Sequence, residues 1–142
     1  MTCKDAPDWS DTVNAITEPS PLYLHGVYDL PGAEVFNEYV TGSDDNYEFY
    51  TVPADKVVYI TFIRAQIRLT DDGLKNTYVG LETLPGDAWP WFNFMHDVAG
   101  VAAETWTFPV PIRCGEGSEF TFYADPGCSG YFQLLGYILD AE

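Results

Sequence analysis

Histidine is the side chain most often used for general acid–base work near neutral pH, and the chain holds two, His25 and His96. Neither stands in an HExxH or other metal-ligand spacing, and there is no GxSxG elbow or nucleotide-binding glycine loop. Both read as ordinary structural residues. Carboxylates are harder to dismiss, because a glycosidase needs only two of them facing a groove. With 22 Asp and Glu in the chain, however, no pair stands out from the rest. Asp44, Asp45 and Asn46, and separately Asp71 and Asp72, offer oxygens of the kind calcium takes, but neither run has EF-hand spacing. "TGSDDN" and "TDDG" are also ordinary turn chemistry, since Asp and Asn side chains bond nearby backbone groups. Cys3, Cys114 and Cys128 form no CxxC pair, and a strand's length of about 15–20 Å should separate the last two, which predicts free thiols rather than a disulfide framework or a zinc site. The expectation is no enzyme, no metal and no cofactor.

One cluster retains binding chemistry. "DAWPWFNF" places Trp89, Trp91, Phe92 and Phe94 around Pro90, which stiffens the backbone. Exposed aromatic platforms hold sugar rings, and Trp and Tyr anchor protein interfaces because they bury a large area at low entropic cost. The same residues also suit a loop folded over the end of its own core. All three readings stay open at this stage.

Charge narrows the partners. A formal net charge of −16 repels phosphate backbones and anionic lipid, which argues against nucleic acid and membrane surfaces. No apolar run reaches the ~18–20 residues needed to span a bilayer, and "MTCKDAPDWSD" has acids and Pro where a signal peptide needs its apolar region. The chain therefore reads as a soluble protein made in the cytoplasm.

The elements that must position these residues read mostly as strands. Aromatics make up 16% of the 142 residues, a composition that favours sheet. Residues 1–21 have three prolines and no period, which predicts an extended N-terminal arm, with 22–142 as one domain. "LYLHGVYDL" is a candidate strand, "AEVFNEYV" a strand or short helix, and "TGSDDNYEFYTV" a polar loop running into a strand. "DDG" at 71–73 predicts a hairpin, with "KNTYVGLETL" returning against the strand before it. "PGDAWPWFNFMHDVAGVAAE" reads as a long loop with one short strand, and three strand-like runs follow, separated by "CGEG" and "DPGCSG". Pro109 and Pro111 cannot donate ladder hydrogen bonds and belong at a sheet edge or bulge. Seven or eight short strands and no long amphipathic helix predict an all-β antiparallel β-sandwich, jelly-roll-like, with an immunoglobulin-like sandwich or small barrel as alternatives.

"VPADKVVYITFIRAQIRLTDDG" raises a further question. If Val57, Tyr59, Thr61, Ile63, Ala65, Ile67 and Leu69 face the core, then Val58, Ile60 and Phe62 face outward and Arg64, Gln66 and Arg68 continue that face. In the last strand Phe132, Leu134 and Ile138 would point in, leaving Tyr131, Leu135, Tyr137 and Leu139 outside. In "EFTFYAD" the same rule puts Phe120, Phe122 and Ala124 in and Thr121 and Tyr123 out. Lined up in one sheet, the outward groups would expose several hundred Å² of apolar surface, at a loss near 25 cal/mol per Å². Its cover is either the chain's own N-terminal segment and 89–103 loop or a neighbouring copy. The less acidic surroundings of Arg64 and Arg68 favour a neighbour. Val58, Ile60, Phe62, Arg64, Arg68, Tyr131, Leu135 and Tyr137 are thus the candidate subunit-interface residues.

"TVPADKVVYITFIRAQIRL", "VPIRCGEGSEFTFYAD" and the closing "GYFQLLGYILDAE" together resemble small β-sandwich structural proteins of tailed bacteriophages, over about residues 50–142. Asp55 stands where that pattern usually has Gly. The resemblance implies a non-catalytic virion part. It would be a decoration or cement protein on the outer capsid, or a tail component, associating as a dimer or trimer and bound to a major capsid protein. An outer position agrees with the charge, because a strongly acidic protein would be repelled by packaged DNA. The other expectation is a carbohydrate-binding or tail-fibre sandwich module.

Overall fold

The computed structural model describes residues 30–86 and 90–142. The predicted arm over 1–21, its boundary with the domain, His25 and Trp89 lie outside them. Gly32–Glu142 forms one compact unit. It contains six strands: β1 (Glu34–Thr51), β2 (Lys56–Leu69), β3 (Lys75–Leu81), β4 (Trp91–His96), β5 (Gly100–Cys114) and β6 (Glu119–Asp140). All pairings are antiparallel. No helix among the described residues is long and apolar enough to cross a membrane.

The long strand β6 organises the fold. Along one edge it pairs with β1 over nearly its whole length. Along the other, residues 128–140 pair with β2 and residues 120–124 with β3. β2 in turn pairs with β5, and β3 with β4. The sheet thus consists of four chain runs, each interrupted once: at Asp44, across 70–74, at 97–99 and at 125–127. The interruptions divide it into a long half (β1 34–43, β6 128–140, β2 and β5) and a short half (β1 45–51, β6 119–124, β3 and β4). Numbered along the chain, the eight segments lie in the orders 1-8-3-6 and 2-7-4-5, the pairing scheme of a jelly roll. Ring contacts between Phe36 and Phe120 (6.1 Å) and between Phe122 and Phe132 (6.2 Å) join the halves through one core.

The β2–β3 hairpin expected from "DDG" does not form. β3 follows β2 along the same edge of β6 instead of returning against it. The turn residues are held by the neighbouring bend: the Gly73 N–H donates to the Asp97 carbonyl (2.8 Å), and Asp72 Oδ1 accepts the Ala99 N–H (2.8 Å). Two other local readings change for a similar reason. "TGSDDN" lies within β1, where Asp44 takes a left-handed φ of 53° at a bulge. The stretch read as a long loop supplies β4 and the start of β5. Asp55 also has a left-handed φ, 59°, a conformation that explains why Gly would suit that position and that Asp tolerates. Pro109 and Pro111 do lie on an edge strand, in a stretch of β5 with no ladder partner between Thr107 and Ile112.

The two-sided apolarity of β2 is resolved by a bulge. Against β6 the register slips between Ile60 and Phe62, two steps on β2 for one on β6, so Thr61 is an extra residue and the inward parity switches there; β5 makes the longer excursion opposite, five steps from Ile112 to Thr107. Val58 and Ile60 therefore point into the core, as do Ile63, Ala65 and Ile67, all with no exposed surface. This corrects the expectation that Val58 and Ile60 face outward; their cover is the chain itself. Thr61 Oγ1 donates to the Leu135 carbonyl (3.2 Å), and Gly136 leaves room for the displaced β2 backbone. Phe120, Phe122, Phe132 and Leu134 are fully buried, in line with the alternation read from β6.

Candidate functional site

The outer surface of the short half is built from two rows of side chains that cross four chain runs. Register places Asn46, Tyr123, Tyr78 and Asn93 in one row, and Glu48, Thr121, Gly80 and Trp91 in the next. Strand alternation sends these residues out while Thr77, Val79, Phe94, Phe120 and Phe122 go in. The Tyr78 and Tyr123 rings stack at 4.8 Å and 17°. Trp91 meets Tyr78 edge to face, at 4.8 Å and 88°.

Gly80 seats the indole. A Cβ at Gly80 would lie 2.6 and 2.8 Å from two atoms of the Trp91 benzo ring, so the ring covers the backbone where any other residue would lift it. Half of Trp91 remains exposed. The result is an aromatic floor, Trp91, beside an upright wall, Tyr78, braced from behind by Tyr123. Asn46, Asn93 and Glu48 are exposed around it and offer amide donors and carbonyl or carboxylate acceptors.

The surroundings hold this shelf in place. The Leu81 N–H donates to the Pro90 carbonyl (3.1 Å), fixing the chain just before β4. Glu82, 6% exposed, accepts the Gly86 N–H (2.6 Å) and the Glu119 N–H (3.1 Å), tying the 82–86 loop to β6. Tyr123 Oη donates to Asp125 Oδ1, while Asp125 Oδ2 accepts the Asn76 N–H (2.8 Å). That hydrogen bond, followed by partial desolvation and the Asp125 charge, raises the Tyr123 pKa, so the phenol stays protonated. At the other end of the shelf, the hydrogen bond to Glu48 and that group's charge push the Glu119 carboxyl up.

No protein-family model matches the chain, and no curated protein matches it significantly. Among solved structures, it is similar to a carbohydrate binding module from the glycoside hydrolase family 9 enzyme Cel9A of Ruminococcus flavefaciens FD-1. That likeness has 16% identity and a TM-score of 0.35 over 63% of this chain and 98% of the other.

The predicted aromatic cluster divides by strand parity. Trp91 faces out on β4, Phe92 packs against Trp106 (5.8 Å) and Phe108 (5.3 Å), and Phe94 is buried. Of the three, Trp91 alone is exposed to solvent on the outer face. Its partners Tyr78 and Tyr123 come from β3 and β6; alternation marks Tyr123 as outward, but the adjacency of the three strands is not a local signal. Of the interface candidates, Phe62, Arg64, Arg68, Tyr131, Leu135 and Tyr137 lie on the outer face of the long half, where Tyr137 stacks on Tyr59 (4.9 Å) and Tyr131 on Tyr39 (6.5 Å). Val58 and Ile60 do not join them.

The other chemistry candidates have structural tasks. Asp45 Oδ2 accepts the Ser43 N–H at the β1 bulge and Asp71 Oδ2 the Thr70 hydroxyl in the bend after β2, so both acidic runs are used in local hydrogen bonds. No group of three or more His, Cys, Asp and Glu among the described residues could hold a metal ion. Cys114 and Cys128 are free and buried. Burial pushes the Cys114 thiol up to about 12, the wrong direction for a nucleophile, and raises Cys128 as well. At pH 8 the folded protein is expected to leave Cys114 unmodified by a disulfide reagent such as DTNB, whereas adding denaturant makes it react. Fast labelling of Cys114 in the native state would contradict this burial.

Proposed function

We propose that this chain is a non-catalytic glycan-binding module whose combining surface is the shelf formed by Trp91, Tyr78 and Tyr123. The observation that carries the reading is the seating of Trp91 on Gly80. It sets a half-exposed indole against the sheet, with an aromatic wall at right angles and amide side chains at the rim. A pyranose ring has the matching chemistry. Its C–H face packs on an aromatic plane, and its equatorial hydroxyls hydrogen-bond to groups around the edge. The floor belongs to regular strands rather than to a mobile loop, so little ordering is needed when a sugar docks.

Calorimetry against a panel of neutral oligosaccharides tests this. Trp91→Ala is expected to weaken binding about 30-fold, equivalent to ~2 kcal/mol for a central aromatic anchor, while leaving the melting temperature nearly unchanged. Gly80→Ala should weaken binding as well by displacing the indole. Equal affinity in wild type and Trp91→Ala would remove the shelf from consideration. The virion role expected from the phage resemblance depends on contact between copies, and sedimentation of the isolated protein tests that separately.

A further inference from the structure

The outer face of the long half differs in composition from the rest of the chain. The register assigns to it alternate residues of β1 (35–43), β6 (129–139) and β2 (57–68), together with their β5 partners, and none of these positions is Asp or Glu. The chain has 22 acids. All three of its arginines, Arg64, Arg68 and Arg113, are on this one face and exposed. Among the described residues none of the three forms an ion pair; the ion pairs there belong to Lys56, which holds Glu34 (3.7 Å) and Asp140 (2.7 Å) at the end of the sheet.

Two of the arginines share β2, and the third lies one strand over on β5. Arg64 and Arg68 are four residues apart on β2, about 13 Å at strand rise. Arg113 lies level with Tyr59, and the bulge at Thr61 removes one step, so the Arg113–Arg64 interval is again about four steps, or ~13 Å. Between them lie the stacked Tyr59 and Tyr137, Phe62 and the amide of Gln66. A groove of about 300 Å³ opens at the Arg113 end; Arg113 itself, Val57, Tyr59, Leu139, Asp140 and Glu142 line it.

From this arrangement we propose a second binding face, for an acidic polysaccharide, on the side of the jelly roll formed by the long half. Each guanidinium offers a planar fork of donors that pairs with a carboxylate or sulfate, and the tyrosines and amides between them suit the intervening sugar rings. Sparse, regular spacing favours a polymer with widely separated charges. A nucleic acid would bring a dense row of phosphates against a chain of −16, leaving most of them unpaired. Away from Asp140 and Glu142 at its Arg113 end, an identical copy of the face offers Arg64 and Arg68 no acid to pair, which disfavours a symmetric dimer through it. This inference shares with the previous section the reading of the chain as a glycan binder, but it uses different residues and does not require the Trp91 shelf.

The test measures the full chain against hyaluronate, which carries one carboxylate per disaccharide, chondroitin sulfate, which adds a sulfate to the same repeat, a neutral glucan and single-stranded DNA at low and moderate salt. The expected result is binding to hyaluronate or chondroitin sulfate that weakens as salt rises. Combined Arg64→Gln, Arg68→Gln and Arg113→Gln should reduce it at least tenfold, with a wild-type circular dichroism spectrum and melt. Trp91→Ala should keep this binding. Preference for chondroitin sulfate would identify sulfate as the group held, and loss with the same triple variant would still support the face. Failure of the wild type to bind either acidic glycan overturns the proposal. Equal binding by the triple variant, tighter binding to DNA, or a fall in sedimentation mass caused by the arginine changes would also overturn it. Loss of neutral-glucan binding in Trp91→Ala bears only on the shelf, so the two readings can fail independently.

Discussion

Phe122→Ala is expected to destabilise the domain by about 3–5 kcal/mol, read from the midpoint and slope of urea unfolding. Phe122 is fully buried and touches Phe132 (6.2 Å) and Tyr47 (5.7 Å). Its ring also fits against two backbone segments: a Cβ placed on Gly42 or Gly130 would come within 2.8 and 3.1 Å of the ring carbons. The side chain thus fills the bend where β1 and β6 pass from the long half to the short one. Neighbouring segments cannot collapse into the hole, because strand pairing on both sides of β6 holds them in place. The full cavity cost therefore adds to the lost burial. Against a typical domain stability of about 5–15 kcal/mol, this is enough to bring the protein near its unfolding threshold. A loss below ~1 kcal/mol would mean that the halves are not joined through this ring.

Gly136→Ala should have an effect of similar size by the opposite route. An added methyl would collide with the carbonyl of Tyr59 and press on the Cα of Ile60, both backbone atoms of the bulged strand. Overpacking against side chains typically costs about 1–3 kcal/mol because rotamers can yield. Here no rotamer can yield: either the bulge at Thr61 is lost, exposing one parity of β2, or β2 and β6 separate. The expected loss is about 3 kcal/mol or more, with Ser129→Ala on the exposed side of the same strand as a near-neutral control. A Gly136→Ala variant as stable as the control would show that the slip in register is not needed.

These two positions also show what the sequence makes legible. The all-β sandwich and the inward set of β6 follow from alternation and composition, which are local properties. The bulge is not local: Thr61 looks like any strand residue, and the glycine that accommodates it lies on another strand. Without the bulge, strict alternation assigns Val58 and Ile60 to the wrong face, and the need for a covering subunit follows from that error. "DDG" is a sound turn signal, but its partner was decided by Asp97 and Ala99, far along the chain. Trp91 was legible as a binding candidate because indole chemistry is visible in one residue. Tyr78 and Gly80 were not, because only the order of strands brings them beside it.

The position of β6 has a further consequence, for how the protein is made. It is the last of the six strands in chain order, yet β1, β2 and β3 all hydrogen-bond to it. During synthesis the earlier strands therefore leave the ribosome without their template, and neither half can close until β6 follows. Closure of the unit should wait until β6 has emerged and should be slow, as non-local strand pairing requires. Nascent chains halted before residue 119 should depend on chaperones to stay out of aggregates.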